Sequence, residues 1–241
     1  MVIIQANGAS FAELNQALRD AVESDCRITG CLGQRFLAAG MSDRNIAIEG
    51  IPGNALGAYL NGANITVYGN AQDAVGDTMN EGTIVIHGNI GDAPGYAMRG
   101  GAIFIEGNAG YRAGIHMKAY RDKVPVMVIG GTAGSFLGEY QAGGTILVLG
   151  LGHARRKIVG FFPCTGMHGG KMLLRGTCAG VVFPEQVIVR PANGEDRTEI
   201  AALVSAYCGY FGADFDAIMD APFTVVLPND SNPYRQLYIA N

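Results

Sequence analysis

A unit of 19 residues recurs along this chain, and that period constrains the fold more than any other feature. Residues 45–63 read NIAIEGIPGNALGAYLNGA, 64–82 read NITVYGNAQDAVGDTMNEG, and 83–101 read TIVIHGNIGDAPGYAMRGG. A fourth unit opens AIFIEGNAGYRAGIHM at Ala102 and carries the insertion AYRDKVP. The period then resumes with VMVIGGTAGSFLGEYQAGG over 126–144, and further units start TILVLG at Thr145 and KMLLRG at Lys171. A unit this short holds one brief strand and cannot bury an apolar face alone. Stacked copies can bury it against one another.

Each unit opens with apolar residues at its second and fourth positions: Ile46/Ile48, Ile65/Val67, Ile84/Ile86, Ile103/Ile105, Met127/Ile129, Ile146/Val148 and Met172/Leu174. That is burial of one strand face with period two. The third position (Ala47, Thr66, Val85, Phe104, Val128, Leu147, Leu173) is also mostly apolar, so the outer face is expected to be covered in part. Glycine makes up 36 of 241 residues, about twice the usual share. It follows the strands at Gly50, Gly69, Gly88, Gly107, Gly131, Gly150 and Gly176, and recurs seven residues later at Gly57, Gly76, Gly95, Gly114 and Gly138. Both columns read as corners. A third column, Leu60, Met79, Met98, Met117, Gln141 and Met167, reads as core, with Met filling gaps between coils.

The expected architecture is all-β: a single-stranded β-helix of about seven coils over residues 26–190, with 28–41 as a decayed first coil. Residues 1–25 hold an amphipathic capping helix that starts at the N-cap Ser10, with Phe11, Leu14, Leu18 and Val22 on one face. Residues 191–241 hold a second helix over 198–212, a last strand at 223–228 and a polar tail. Net charge is −4 with no basic stretch of a nucleic-acid binder. No apolar run is long enough for a membrane span, and the start lacks a secretory signal. Five cysteines without a CxxC read as free thiols in a reducing cytoplasm.

The glycine-cornered units, such as IHGNIGDAPGYAMRGG and IEGNAGYRAGIHM, resemble the GXGXG β-helix family over about residues 26–185. That family includes the C-terminal domain of the glutamate synthase large subunit and one of the subunits of formylmethanofuran dehydrogenase. The resemblance implies a right-handed helix and no catalytic, cofactor or metal residue on this chain. It implies a stand-alone scaffold subunit that holds glutaminase and flavoprotein subunits together, with FMN and iron–sulfur clusters on those partners. Residue 2 is Val2, where a glutaminase would carry a Cys nucleophile. The same resemblance leaves open a subunit of a formylmethanofuran-dehydrogenase-type complex, and a homo-oligomer.

A third reading makes the chain a free-standing anion-binding protein or enzyme using GLGHARRKIVGFFPCTGMHGG, residues 150–170. Arg155, Arg156 and Lys157 beside Gly150 and Gly152 suit an anion, and His168 lies nearby in sequence. Cys164 and His168 have a spacing that could ligate a metal, but a packed thiol beside a hydrogen-bonded His is the default reading. The scattered acids Asp73, Asp77, Asp92, Glu106 and Glu139 form no isolated pair of the kind acid–base chemistry needs, and read as solvated corners.

Overall fold

The apolar positions of each repeat become neighbours because the strands pair in register with the repeat. In the computed structural model, which describes residues 1–153 and 157–229, Ile46 pairs with Ile65, Ile65 with Ile84, Ile84 with Ile103, and Ile103 with Met127. The column continues through Ile146 to Met172. The strands β1 (Val2–Gln5), β2 (Asp25–Leu32), β3 (Asn45–Ile51), β4 (Asn61–Tyr68), β5 (Glu81–Ile86), β6 (Ala102–Ile105), β7 (Val126–Ile129), β8 (Ala142–Val148) and β9 (Gly169–Arg175) each run parallel to the next in this series. Two more, β10 (Val187–Pro191) and β11 (Phe223–Pro228), continue the sheet antiparallel in the order β9-β11-β10. Among the described residues the protein is therefore mostly β, with one 11-stranded sheet that does not close on itself.

The segments between strands also climb from repeat to repeat. The N–H groups of Ala55, Ala74 and Ala93 donate to the carbonyls of Asp73, Asp92 and Tyr111, one repeat ahead. Those of Gly57, Gly76 and Gly95 donate to Leu37, Leu56 and Val75, one repeat behind. Alternate residues take left-handed angles (Ala55 φ 62°, Gly57 φ 64°, Tyr59 φ 57°), which turns successive peptide planes in opposite directions. The central position keeps glycine in five repeats. Ala38 and Cys164 hold it in the first and last, both with positive φ. The first glycine column needs a partial correction. Gly88 and Gly107 have no positive φ. They are glycine because a Cβ there would sit 2.7 and 2.8 Å from the carbonyl oxygens of Gly69 and Gly88.

Helix α1 (Phe11–Asp20) starts at Ser10 with a reciprocal capping box to Glu13 and buries Leu14 and Leu18. Its Asn15 side chain caps the first corner, donating to the Phe36 carbonyl and accepting from the Ala38 N–H. The helix stops before Val22, which is 97% exposed instead of lying on the apolar face. Strand β1 stands outside the 19-residue period, so the repeat gives no signal for it.

Helix α2 (Gly194–Phe211) begins earlier than expected, at an Asn193 cap that exchanges hydrogen bonds with Asp196. With α3 (Phe215–Met219) it covers the outer sheet face, burying Val85, Phe104, Val128, Leu147 and Leu173 against Ile200, Val204 and Tyr207. The inner face holds the main core, including Met79, Met98, Met117 and Met167, as the column predicts. The polar tail, 230–241, lies outside the described residues.

Candidate functional site: an aromatic corner and a cationic cavity

The corner ladder places residues far apart in sequence on one outer edge. Arg112 and Phe136 occupy equivalent left-handed positions, as does Phe162 beyond them. Tyr111 and Phe136 have ring centroids 5.9 Å apart, Phe136 and Phe162 are 5.3 Å apart, and Phe161 flanks Phe162 at 6.3 Å. The Arg112 guanidinium lies over Phe136 at 5.4 Å and bonds Glu139 at 2.9 Å. Beside this row His116 stacks on Tyr140 at 5.2 Å and meets Tyr96 edge-on at 5.9 Å. Phe161 and Phe162 are 71% and 63% exposed, and Val182 next to them is 82% exposed. A cleft of about 410 Å³ runs between Val159, Phe161 and Phe162 on one side and Val181 and Val182 on the other. None of these aromatics stands out from sequence. A signal is present at the corresponding positions 112, 136 and 162, but the insertion before residue 126 and the irregular stretch after 150 break the spacing.

The candidate anion loop is only partly assembled. Lys157 lines a cavity of about 480 Å³ with His153 and Arg175, between Leu149, Ile158 and the turn at Thr177–Ala179. His168 does not line it, and its Nδ1 lies 2.9 Å from the Gly166 carbonyl. Arg155 and Arg156 lie outside the described residues. Cys164 and His168 do not converge on a metal position. The Cys164 side chain is fully buried with its Sγ 3.6 Å from Met172 Sδ, in the place that corner glycines hold elsewhere. Among the described residues, no three His, Cys, Asp or Glu side chains cluster as metal ligands would.

The scattered acids have structural partners. Asp73 and Asp92 accept from the N–H groups of Asp92 and Tyr111, one repeat on. Asn70, Asn89 and Asn108 form a parallel ladder, accepting from the N–H groups of Asn89, Asn108 and Thr132. Glu106 faces His87 at 3.6 Å, and that ring stacks on Tyr68 and meets Phe211. Burial pushes the Cys31 thiol up to about 11 and also raises Cys164, Cys178 and Cys208. Raised thiols are poor nucleophiles, so these four cysteines are not activated for covalent chemistry.

A family model described as the GXGXG motif matches residues 19–229. The protein MJ1350 of Methanocaldococcus jannaschii is 40% identical over 250 aligned residues, covering 98% of this chain and 96% of that protein. Among solved structures, a chain of the formyltransferase/hydrolase complex (FhcABCD) from Methylorubrum extorquens, in complex with methylofuran, matches with a TM-score of 0.65. The match covers 89% of this chain and 83% of that one at 22% identity, a likeness of fold.

Proposed function

The chain belongs to the GXGXG motif family, and from that premise we propose that it is a non-catalytic scaffold subunit of a multi-subunit enzyme complex. In this reading the stacked repeats wind as a single-stranded right-handed β-helix, a rigid body whose faces position other chains. The observation that carries it is the aromatic corner. Contiguous exposed aromatic rings next to an Arg–Glu pair are the composition of a protein–protein contact and are costly to leave in water.

Two complexes suit such a protein. The fold likeness to a chain of a formyltransferase/hydrolase complex supports a one-carbon assembly of the formylmethanofuran-dehydrogenase type. The repeat resemblance supports a glutamate-synthase-like assembly, with glutaminase and flavoprotein partners carrying FMN and iron–sulfur clusters. Purification of the tagged chain from its native host tests both. Molybdenum or tungsten in the eluate indicates the first, and flavin with glutamine-dependent glutamate formation indicates the second. The scaffold reading expects that Phe136→Ser with Phe161→Ser releases the partners and leaves the fold intact. Recovery of the wild-type chain alone, or of flavin at full occupancy on the isolated chain, overturns it.

A further inference from the structure

We propose that the cavity between the β8–β9 ends is a binding site for a small organic anion, adjoining the partner-docking corner, with which it shares Lys157 and Val181. Its volume of about 480 Å³ lies in the range of small-molecule sites. His153, Lys157 and Arg175 line it, and among the described residues no Asp or Glu does. Five cations elsewhere meet carboxylates, Arg27 with Glu49, Arg112 with Glu139, Lys123 with Glu81, Lys171 with Glu199, and Arg190 with Asp196, whereas Arg44 and Arg197 bond backbone carbonyls. Among the described residues neither Lys157 nor Arg175 has such a partner. The Arg175 guanidinium is instead oriented by neutral carbonyls, with Nε bonded to Ile218 at 2.9 Å and Nη2 to Ala217 at 3.0 Å. Carbonyls fix its plane without neutralising its charge, so a positive potential persists in the wall.

The remaining wall is mixed, with Leu149, Ile158, Val181 and Ala221 beside the polar Thr177 and the Cys178 thiol. Gly176 adds room, since a Cβ there would meet nothing within 4 Å. The Lys157 and Arg175 cations, set in a wall that also offers the Thr177 hydroxyl, select a compact ligand that carries a carboxylate or phosphate. A bare halide fits this lining poorly, and so does a neutral molecule.

Titration calorimetry on the full chain with succinate, inorganic phosphate and neutral succinamide tests the proposal. Succinate or phosphate is expected to bind, with succinamide silent, and the stronger of the two anions identifies the acid group. Lys157→Gln should weaken binding about tenfold, the loss of one charge-assisted hydrogen bond, and Lys157→Glu should abolish it. Both variants should unfold at the wild-type temperature, because Lys157 is exposed. Ala179→Trp fills the cavity without changing charge and should also abolish binding, which separates a built site from general attraction to a basic surface. Absence of binding by both anions, or wild-type affinity in Lys157→Glu or Ala179→Trp, overturns the proposal.

Discussion

Gly88 and Gly95 are both corner glycines, yet different physics keeps each of them small. Gly95 has φ 65°, and an added Cβ would meet Met127 Cε at 2.6 Å, the far end of a flexible side chain. Alanine already adopts such angles at Ala93 and Ala97. Gly95→Ala should therefore cost about 1–2 kcal/mol, the left-handed penalty. At Gly88 the added atom meets Asn70 Oδ1 at 2.6 Å and the Gly69 carbonyl at 2.7 Å. Backbone has to move there, and Gly88→Ala should cost more, about 3 kcal/mol or above. Urea midpoints of the two variants check this order, and a larger loss at Gly95 refutes it. The glycine spacing was legible in the sequence, but its two causes were not, because spacing does not separate a backbone angle from a close approach. The Asn ladder escapes a sequence reading for a related reason. Asn70, Asn89 and Asn108 recur at the period, but only stacking shows that each side chain serves the backbone one repeat on. Asn89→Ala should cost about 1 kcal/mol, one neutral hydrogen bond, by the same unfolding assay.

Among the elements, α2 does most to separate this chain from a bare stack of repeats. The apolar third position from Val85 onward announced a covered face, and α2 is its cover. The start of α2 was not legible, because NGEDRT looks like a loop until Asn193 and Asp196 are seen to cap each other. Tyr207 is its largest buried side chain, 2% exposed, with the hydroxyl bonded to the Glu106 carbonyl at 3.2 Å. Tyr207→Phe should cost about 1 kcal/mol for the hydrogen bond, and Tyr207→Ala about 3–5 kcal/mol for the cavity. Near-equal unfolding midpoints for the two would show that α2 is not anchored there. Asp196 ties the start of α2 to pH. The Arg190 guanidinium bonded to it, helped by the Asn193 N–H, lowers its carboxyl below the ordinary value of 3.8. A folded pKa below the unfolded one means the contribution is complete above the unfolded value. It is lost as pH falls through the folded one. Stability should therefore fall with acid below about pH 4, and Asp196→Asn should flatten that slope while lowering stability at neutral pH. A slope unchanged by Asp196→Asn would contradict the linkage.

For the whole molecule, the sheet is protected unequally along its length. The outward register runs Ile3, Arg27, Ala47, Thr66 and then Val85, Phe104, Val128, Leu147 and Leu173. The first four residues are exposed or half-buried, with Ile3 at 62%, and the last five are buried under α2 and its neighbours. Strands β2 to β4 thus rest on one core and β5 to β9 on two. Burial of an outward Val, Leu or Phe contributes about 1.5–3 kcal/mol, and α2 couples the strands it spans because it contacts several repeats at once. A repeat array otherwise opens from its ends, each unit held only by its neighbours. Native-state hydrogen exchange should accordingly show amides of β5 to β9 opening together, with free energies at least about 2 kcal/mol above those of β2 and β3. In Tyr207→Ala, which loosens the cover without touching the inner face, that gap should narrow while β2 and β3 exchange as before. Uniform protection from β2 to β9 in the wild type would place the stabilisation in the inner ladder alone and reduce α2 to a passive covering.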